Sequence, residues 1–127
     1  MKPPVNMAKV LLADDSTELA DFLSVLLQLN DFDVQNASTE AAVFEKLDEF
    51  KPDIILMDVI LSRSNGREVC RAIKNNPLYN NISVILVSAS PHLLDDFEAC
   101  KADDVIEKPF DIKTIIDKIN SHITKDQ

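Results

Sequence analysis

Five polar side chains with complementary chemistry stand at the ends of short apolar runs along the chain. Asp14 and Asp15 follow the first such run, and Asp58 follows a second. Ser88 closes a third run, and Lys108 follows a fourth. If the runs are parallel strands, their carboxyl ends meet at one edge of the sheet, where open α/β sheets bind ligands. The sequence therefore predicts three carboxylates, one hydroxyl and one ammonium group in a single crevice.

Three carboxylates in one crevice require a cation nearby. Each pair would repel by roughly 4 kcal/mol at a separation of about 4 Å and an effective dielectric constant near ~20. Hard carboxylate oxygens suit Mg²⁺, which typically keeps its other positions for water and a substrate phosphate. A carboxylate can also attack phosphorus and form an aspartyl phosphate. We therefore expect magnesium-dependent phosphoryl chemistry on an aspartate.

The composition excludes several other classes of protein. Gly66 is the only glycine in 127 residues, so the glycine-rich loops that cradle nucleotide phosphates cannot be present. The net charge is −9 and the basic residues are spread singly, which argues against direct binding of nucleic acid. The chain has no apolar run of membrane-spanning length and no secretory signal, so we expect a cytoplasmic protein without a membrane partner. Cys70 and Cys100 are expected to be buried, reduced thiols.

Apolar periodicity indicates which elements position these groups. The candidate strands cover residues 8–13, 32–36, 54–57, 82–87 and 103–106, the second and fifth being polar enough for sheet edges. Five amphipathic segments alternate with them, and their apolar side chains are Leu19, Phe22, Leu23, Leu26, Leu27; Ala41, Phe44, Leu47; Val69, Ile73; Leu93, Leu94, Phe97, Cys100; and Ile112, Ile115, Ile116, Ile119, Ile123. This alternation predicts an α/β fold, a doubly wound five-stranded parallel sheet with five helices on both faces. We expect one domain over residues 1–127, with its core at about 8–123.

Smaller signals complete the outline of these elements. Ser16 and Asp111 stand where helix N-caps belong. His92 and His122 are expected to be isolated, exposed helix residues. The polar residues 124–127 are expected to fray at the end of the chain.

Four short motifs, LLADDS, IILMDV, ILVSAS and IEKPF, occur in this order. Together they resemble the receiver domain of two-component response regulators, from Val10 to about Ile123. The resemblance implies a flavodoxin-like strand order, 2-1-3-4-5, and a stand-alone receiver that accepts a phosphoryl group on Asp58. It implies a sensor histidine kinase or phosphotransfer protein as the phosphohistidine donor, and a downstream protein as the target. Such a receiver is a signalling module that promotes only its own phosphorylation and slow dephosphorylation.

The resemblance also implies a role for each residue of the crevice. Mg²⁺ would be held by Asp14, Asp15, Asp58 and the backbone carbonyl of Ile60. The phosphoryl-binding and switch positions would be Ser88, Ala89, Lys108 and Pro109, with a cis peptide before the proline. Ile60 and Ser90 occupy positions that modulate hydrolysis of the acyl phosphate. Because the Ile60 side chain offers no hydrogen bond to an attacking water, we expect a long-lived phosphoryl state.

The chain departs from the pattern of the family at several positions. Val105 stands where an aromatic ring usually swings between two rotamers, which predicts a weaker or differently routed conformational response. Ser62 replaces a common proline, which predicts a looser turn. Asp31 and Lys101 stand where relatives have glycine, and a lysine forced into the left-handed region would cost about 1 kcal/mol.

Three other functions are compatible with parts of the sequence. A receiver-like scaffold would bind its partner without phosphorylation, and Val105 is the feature that suggests it. A magnesium-dependent phosphatase with an aspartyl nucleophile needs two aspartates one residue apart at the first strand, which LLADDST does not provide. A flavin carrier of the same topology needs a Ser/Thr/Gly-rich phosphate loop after that strand, and this loop is absent from the sequence.

Overall fold

A computed structural model of the protein describes residues 7–95 and 97–123, so the predicted fraying of 124–127 lies outside the described residues. The strands in chain order are β1 (Lys9–Ala13), β2 (Asp33–Ala37), β3 (Ile54–Asp58), β4 (Ile60–Leu61), β5 (Ser64–Asn65), β6 (Ser83–Ser88) and β7 (Asp104–Glu107). Five of them form a parallel sheet in the order β2-β1-β3-β6-β7. Counted along the sheet strands alone, this is the predicted 2-1-3-4-5 order, with the two more polar strands at the edges.

The helices cover both faces of the sheet, as predicted for a doubly wound fold. They are α1 (Thr17–Leu29), α2 (Glu40–Glu49), α3 (Gly66–Lys74) and α4 (Ile112–Ile123). The side chains of α1 and α4 pack in one layer with alternate residues of the strands. Those of α2 and α3 pack with the remaining strand residues on the other face. Since both faces are covered, β3 and β6 are buried almost throughout, which explains their continuous apolar sequence.

The prediction of five helices was wrong, because the described residues contain four α-helices. The segment predicted as the fourth helix forms two 3₁₀ turns, Pro91–Leu94 and Phe97–Cys100. Leu94 and Cys100 are nevertheless buried, as their spacing predicted. In both kinds of helix, residues three apart lie on the same side, so the apolar pattern of so short a segment does not distinguish them.

A small hairpin follows β3 and has no counterpart in the predicted elements. Its strands β4 and β5 are antiparallel and are joined by the two residues Ser62 and Arg63. Ser62 has a φ of 56°, whereas Arg63 has a negative φ. A positive φ at only the first loop residue is typical of a type II′ turn, which favours glycine at that position. Serine there gave no turn signal in the sequence.

Residues other than glycine take the left-handed conformation where three helical segments end. Asp31 has a φ of 70° and Lys101 a φ of 67°, which confirms the conformation predicted from the missing glycines. Lys51, with a φ of 55°, plays the same part after α2 and was not predicted. After α1 the backbone closes with a hydrogen bond from the Phe32 N–H to the Leu27 carbonyl at 3.2 Å. The chain thus ends its helices without glycine.

The predicted N-caps are confirmed, since the side chains of Ser16 and Asp111 accept the backbone N–H of Leu19 and Thr114 at 3.4 and 2.8 Å. His92 is exposed, as predicted. The prediction for His122 was wrong, because its side chain is only 18% exposed and its Nε2 lies 3.0 Å from the Asp104 carboxylate. This pair leaves no signal in the sequence, because His122 comes from a helix and Asp104 from a strand.

Two further expectations concern thiols and membranes. Cys70 and Cys100 are free and buried, as predicted. Burial, together with the neighbouring Cys100 thiol, raises the pKa of Cys70 to about 12. No helix in the described part of the chain is long and apolar enough to cross a membrane.

Candidate functional site

The predicted polar residues lie at the carboxyl edge of the parallel sheet. Asp58 is the last residue of β3 and Ser88 the last of β6, while Asp14 and Lys108 directly follow β1 and β7. The strand register aligns these ends, since Asp58 pairs with Val87 and Ser88 with Glu107. Four of the five predicted residues therefore lie at one edge of the sheet.

Lys108 and Asp58 form the central ion pair of this crevice. The Lys108 Nζ lies 2.9 Å from Asp58 Oδ2 and 4.0 Å from Asp14 Oδ2. The second oxygen of Asp58, Oδ1, accepts the backbone N–H of Ile60 at 3.1 Å. Both oxygens are thus oriented by donors, while the side chain of Asp58 keeps partial access to solvent. Such a carboxylate is held in place and is reachable from outside.

The charge of Asp14 is only partly compensated. Burial raises the pKa of Asp14 above its ordinary value, and repulsion from Asp58 and Asp15 adds to the effect. The hydrogen bond from the Ser16 N–H, 2.8 Å from Oδ1, and the attraction of Lys108 oppose the shift without cancelling it. Asp14 and Asp58 face one lysine with Asp15 close by, and this leaves an excess of negative charge that a cation would relieve.

The donor chemistry of the crevice fits Mg²⁺, since its ligands would all be oxygens. The side chains are nevertheless not arranged as a complete metal site. Within residues 7–95 and 97–123, no three acidic, histidine or cysteine side chains lie together as a group that could hold a metal ion. Asp15 is exposed, and its Oδ2 accepts the backbone N–H of Ser62 at 2.8 Å. The structure therefore brings Asp14, Asp58 and Lys108 together and ties Asp15 to the hairpin.

Gly66 borders the site, and the structural requirement for glycine at this position could not be predicted from the sequence. It is the first residue of α3, and its N–H donates to the Val59 carbonyl at 2.6 Å. A Cβ atom at this position would overlap the backbone carbonyl of Asp58. Only glycine allows α3 to approach β3 so closely, which places the start of the helix directly against the backbone of the predicted acceptor.

The hydroxyl of the predicted switch residue, Ser88, forms hydrogen bonds with a residue two positions along the chain. Ser88 is buried, and its Oγ accepts the Ser90 N–H at 3.0 Å and donates to the Ser90 carbonyl at 3.4 Å. Ala89 between them is exposed. Ser88 thus stands at the correct edge, but its described hydrogen bonds are made with the following loop and not with Asp58.

The remaining predicted positions surround the crevice. The peptide between Lys108 and Pro109 is cis, as the resemblance implied. The Ile60 side chain is 61% exposed directly beside the acceptor. Val105 is half-buried in β7 and packs against the core layer of α2 and α3.

Known proteins resemble this chain over most of its length. The model of the response regulator receiver domain matches residues 10–120. A CpxR homolog from Haemophilus influenzae, named as a transcriptional regulatory protein, is 33% identical over 117 residues, which are 91% of this chain and 50% of that protein. The response regulator ArlR of Staphylococcus saprophyticus is 31% identical over 121 residues, 94% of this chain and 54% of that protein. The chain thus spans about half the length of these curated relatives.

Solved structures show the same architecture. The chemotaxis response regulator CheY4 of Vibrio cholerae has a TM-score of 0.84 at 25% identity, covering 92% of this chain and 99% of that chain. A putative response regulator from Chloroflexus aurantiacus has a TM-score of 0.88 at 18% identity, covering 94% of this chain and all of that chain, which concerns the fold alone.

Proposed function

The chain belongs to the response regulator receiver domain family, and on this premise we propose that it is a phospho-receiver with Asp58 as the acceptor. The donor is a phosphohistidine on a sensor kinase or phosphotransfer protein, and the product alters binding to a downstream protein. The observation that carries the proposal is the ion pair between the Asp58 carboxylate and Lys108 at 2.9 Å. This pair lies at the same edge of the sheet as Asp14.

Transfer to Asp58 needs positioning and neutralisation of charge more than covalent help from the protein. An Asp58 oxygen attacks phosphorus, the new P–O bond forms, and the P–N bond to imidazole breaks with the electron pair leaving on the nitrogen. The Ile60 N–H and the Lys108 ammonium already orient the carboxylate for this attack. Lys108 then lies beside the oxygens on which negative charge accumulates, where an ammonium stabilises the transition state.

Asp14, Asp15, Asp58 and the Ile60 carbonyl are the groups that would hold Mg²⁺ in this proposal. When bound, the ion supplies neutralisation of the phosphoryl oxygens that one lysine alone does not provide. The raised pKa of Asp14, caused first by burial and then by its acidic neighbours, supports a cation at this place.

Phosphorylation would change the bonding of Ser88. An aspartyl phosphate adds nearly two negative charges and several acceptor oxygens at the sheet edge. The Ser88 hydroxyl can donate to one of them only by leaving the Ser90 carbonyl, which it contacts at 3.4 Å. The loop containing Ala89 and Ser90 would follow, and a downstream protein can read that movement.

The first helix offers a surface for the phosphoryl donor protein. Phe22, Val25 and Leu29 lie at helical spacing on α1 and are each more than half exposed. Phe22 was predicted on the core stripe together with Leu19, yet it points to solvent. Because α1 begins two residues after Asp15, its first turn lies next to the crevice, and we propose that the helical surface of the donor packs on this apolar stripe in the cytoplasm.

A second candidate is a receiver-like scaffold that binds its partner constitutively. Val105 favours it, because a valine cannot swing an aromatic ring between the core and solvent. One substitution distinguishes the two candidates. Asp58→Asn abolishes the biological effect of a phospho-receiver and spares that of a scaffold.

The proposal is tested by incubating the protein with acetyl phosphate and following its intact mass. We expect a gain of one phosphoryl group with Mg²⁺ and little gain when EDTA replaces it. Asp58→Asn should prevent the gain, while Asp33→Asn, which removes an exposed carboxylate from β2, should leave it unchanged. A metal-independent gain, or one that survives Asp58→Asn, contradicts the assignment.

A further inference from the structure

The β4–β5 hairpin donates two backbone hydrogen bonds to the candidate cation site, one from Ile60 to Asp58 and one from Ser62 to Asp15. The Ser62 N–H donates to Asp15 Oδ2 at 2.8 Å across 47 residues of chain. Ser62 is the first loop residue of the hairpin and has a φ of 56°, so its N–H is turned away from the ladder between the two strands. The bond therefore joins the loop after β1 to the loop after β3.

This bond depends on the residue type at position 62. A proline has no N–H, and its ring holds φ near ~−65°, so it can supply neither the donor nor the observed turn. Serine retains the N–H and tolerates the positive φ at some cost in free energy. The replacement of proline by Ser62 thus provides a donor for Asp15, whereas the sequence had suggested only a looser turn.

A metal ion that coordinates Asp15 through Oδ2 takes the oxygen that the Ser62 N–H occupies. A hydrogen bond to a charged oxygen is worth more than one between neutral groups, so releasing it lowers the net affinity for any cation that needs that oxygen. The other two carboxylates already face the crevice with Lys108. The Asp15 carboxylate is instead held by the loop of the hairpin, through the Ser62 N–H.

We propose that Ser62 is a positioning residue that gates the cation site, its backbone N–H holding Asp15 on the β4–β5 hairpin until Mg²⁺ takes over the carboxylate. The inference rests on the proposed function, because it assumes that the crevice binds Mg²⁺. Cation binding then frees the Ser62 amide from Asp15, while the ladder between β4 and β5 stays paired. Occupancy of the metal site is thereby linked to the loop that borders Asp58.

The direct test is a titration of the ¹⁵N-labelled full chain with MgCl₂ alone, followed by amide NMR. We expect the Ser62 amide to shift towards the position of a solvent-bonded amide and to exchange faster with water as the site fills. The Ser64 amide, in the same hairpin, serves as internal control. A similar change at Ser64 would mean that the hairpin melts as a whole, and this would overturn the proposal.

Two variants at position 62 keep or remove the donor. Ser62→Gly keeps the N–H and suits the positive φ, so its dissociation constant for Mg²⁺, measured by calorimetry, should equal that of the wild type. Ser62→Pro removes the donor and should bind Mg²⁺ about tenfold more tightly. If the proline variant does not fold, the wild-type titration still decides.

The outcomes distinguish this inference from the proposed function. Saturable Mg²⁺ binding without any change at the Ser62 amide, or an unchanged or weakened affinity in folded Ser62→Pro, overturns the gating role and leaves the receiver function intact. Absence of Mg²⁺ binding in the wild type and in both variants overturns the metal-dependent function and the gating role together.

Discussion

A side chain on Gly66 would overlap the backbone carbonyl oxygen of Asp58, so the first residue of α3 meets the last residue of β3 through backbone atoms. The N–H of Gly66 donates to the Val59 carbonyl at 2.6 Å, directly after the acceptor. The start of α3 therefore limits where the backbone of Asp58, and with it the carboxylate, can lie. A shift of this backbone would also move the Ile60 N–H, which orients Asp58 Oδ1.

Gly66→Ala is expected to lower the free energy of unfolding by about 1–3 kcal/mol, the range for forcing extra atoms into a packed site. The higher helix propensity of alanine opposes this only in part, since the contact is with rigid backbone. Urea denaturation measures the change. Thr17→Ala, at the exposed first position of α1, is the matched control and should have little effect. Equal stability of Gly66→Ala and the wild type would show that the backbone can move apart without cost.

Lys101→Gly is expected to stabilise the protein by about 0.5–1 kcal/mol. The left-handed conformation costs a lysine about 1–2 kcal/mol, and the greater freedom of glycine in the unfolded chain offsets part of the gain. Lys101→Ala is the matched control, because it keeps the unfavourable φ of 67° and also loses the contact with Asn75. Thermal unfolding compares the three proteins. A glycine variant no more stable than the alanine variant would show that φ at this position carries no penalty.

Asp104 predicts a dependence of stability on pH. Burial acts to raise the pKa of Asp104, but hydrogen bonds from His122 and Lys118 outweigh it and hold the pKa below its ordinary value. The folded state therefore binds this proton less tightly than the unfolded chain. The contribution is complete above the unfolded pKa and is lost as pH falls through the lower folded pKa.

Urea midpoints measured from about pH 7 to pH 3 check this linkage. The stability of the wild type should fall more steeply below about pH 4 than that of Asp104→Asn, which has no such proton to bind. Asp33→Asn removes an exposed carboxylate and should follow the wild type. Parallel curves for Asp104→Asn and the wild type would rule out the contribution of Asp104.

Val105 predicts a confined response to phosphorylation. Beryllofluoride with Mg²⁺ imitates the phosphoryl group, and amide shifts report which residues respond. We expect large changes near Asp58, Ser88 and Lys108, and small ones across residues 93–116, because no ring can swing there. Val105→Tyr supplies a ring and should widen the response. Large amide shift changes across residues 93–116 in the wild type would contradict a confined response.

Ile60 predicts the lifetime of the acyl phosphate. The 61% exposed side chain stands beside Asp58 and offers no hydrogen bond to an attacking water. Ile60→Asn should therefore shorten the lifetime severalfold, measured as loss of the phosphorylated mass with time. Leu78→Asn makes the same change at an exposed position outside the crevice and should have no effect. A lifetime that Ile60→Asn leaves unchanged counts against shielding.

The sheet and the crevice could be predicted because both follow from one rule. Apolar runs buried on both faces mark the strands of a parallel sheet, and the residues after them meet at its carboxyl edge. That rule placed Asp14, Asp58, Ser88 and Lys108 at one edge before any geometry was known. The distances between their atoms could not come from the same rule.

Other features could not be predicted, because the contacts that determine them leave no pattern in the sequence. The glycine count indicated that Gly66 was unusual, but not that a Cβ would overlap the Asp58 carbonyl. The bond between Ser62 and Asp15 joins two loops and leaves no periodic signal. Likewise, the segment before Lys101 has the spacing of an α-helix and forms 3₁₀ turns instead.

The central claim is that Asp58 is the residue that carries the phosphoryl group. Borohydride reduces an aspartyl phosphate to homoserine, so peptide mapping of the phosphorylated and reduced protein identifies the modified residue chemically. The account predicts homoserine at position 58 alone, and only in samples that contained both phosphoryl donor and Mg²⁺. Homoserine at Asp14, Asp15 or another carboxylate, or its absence from a protein that has gained a phosphoryl group, would contradict it.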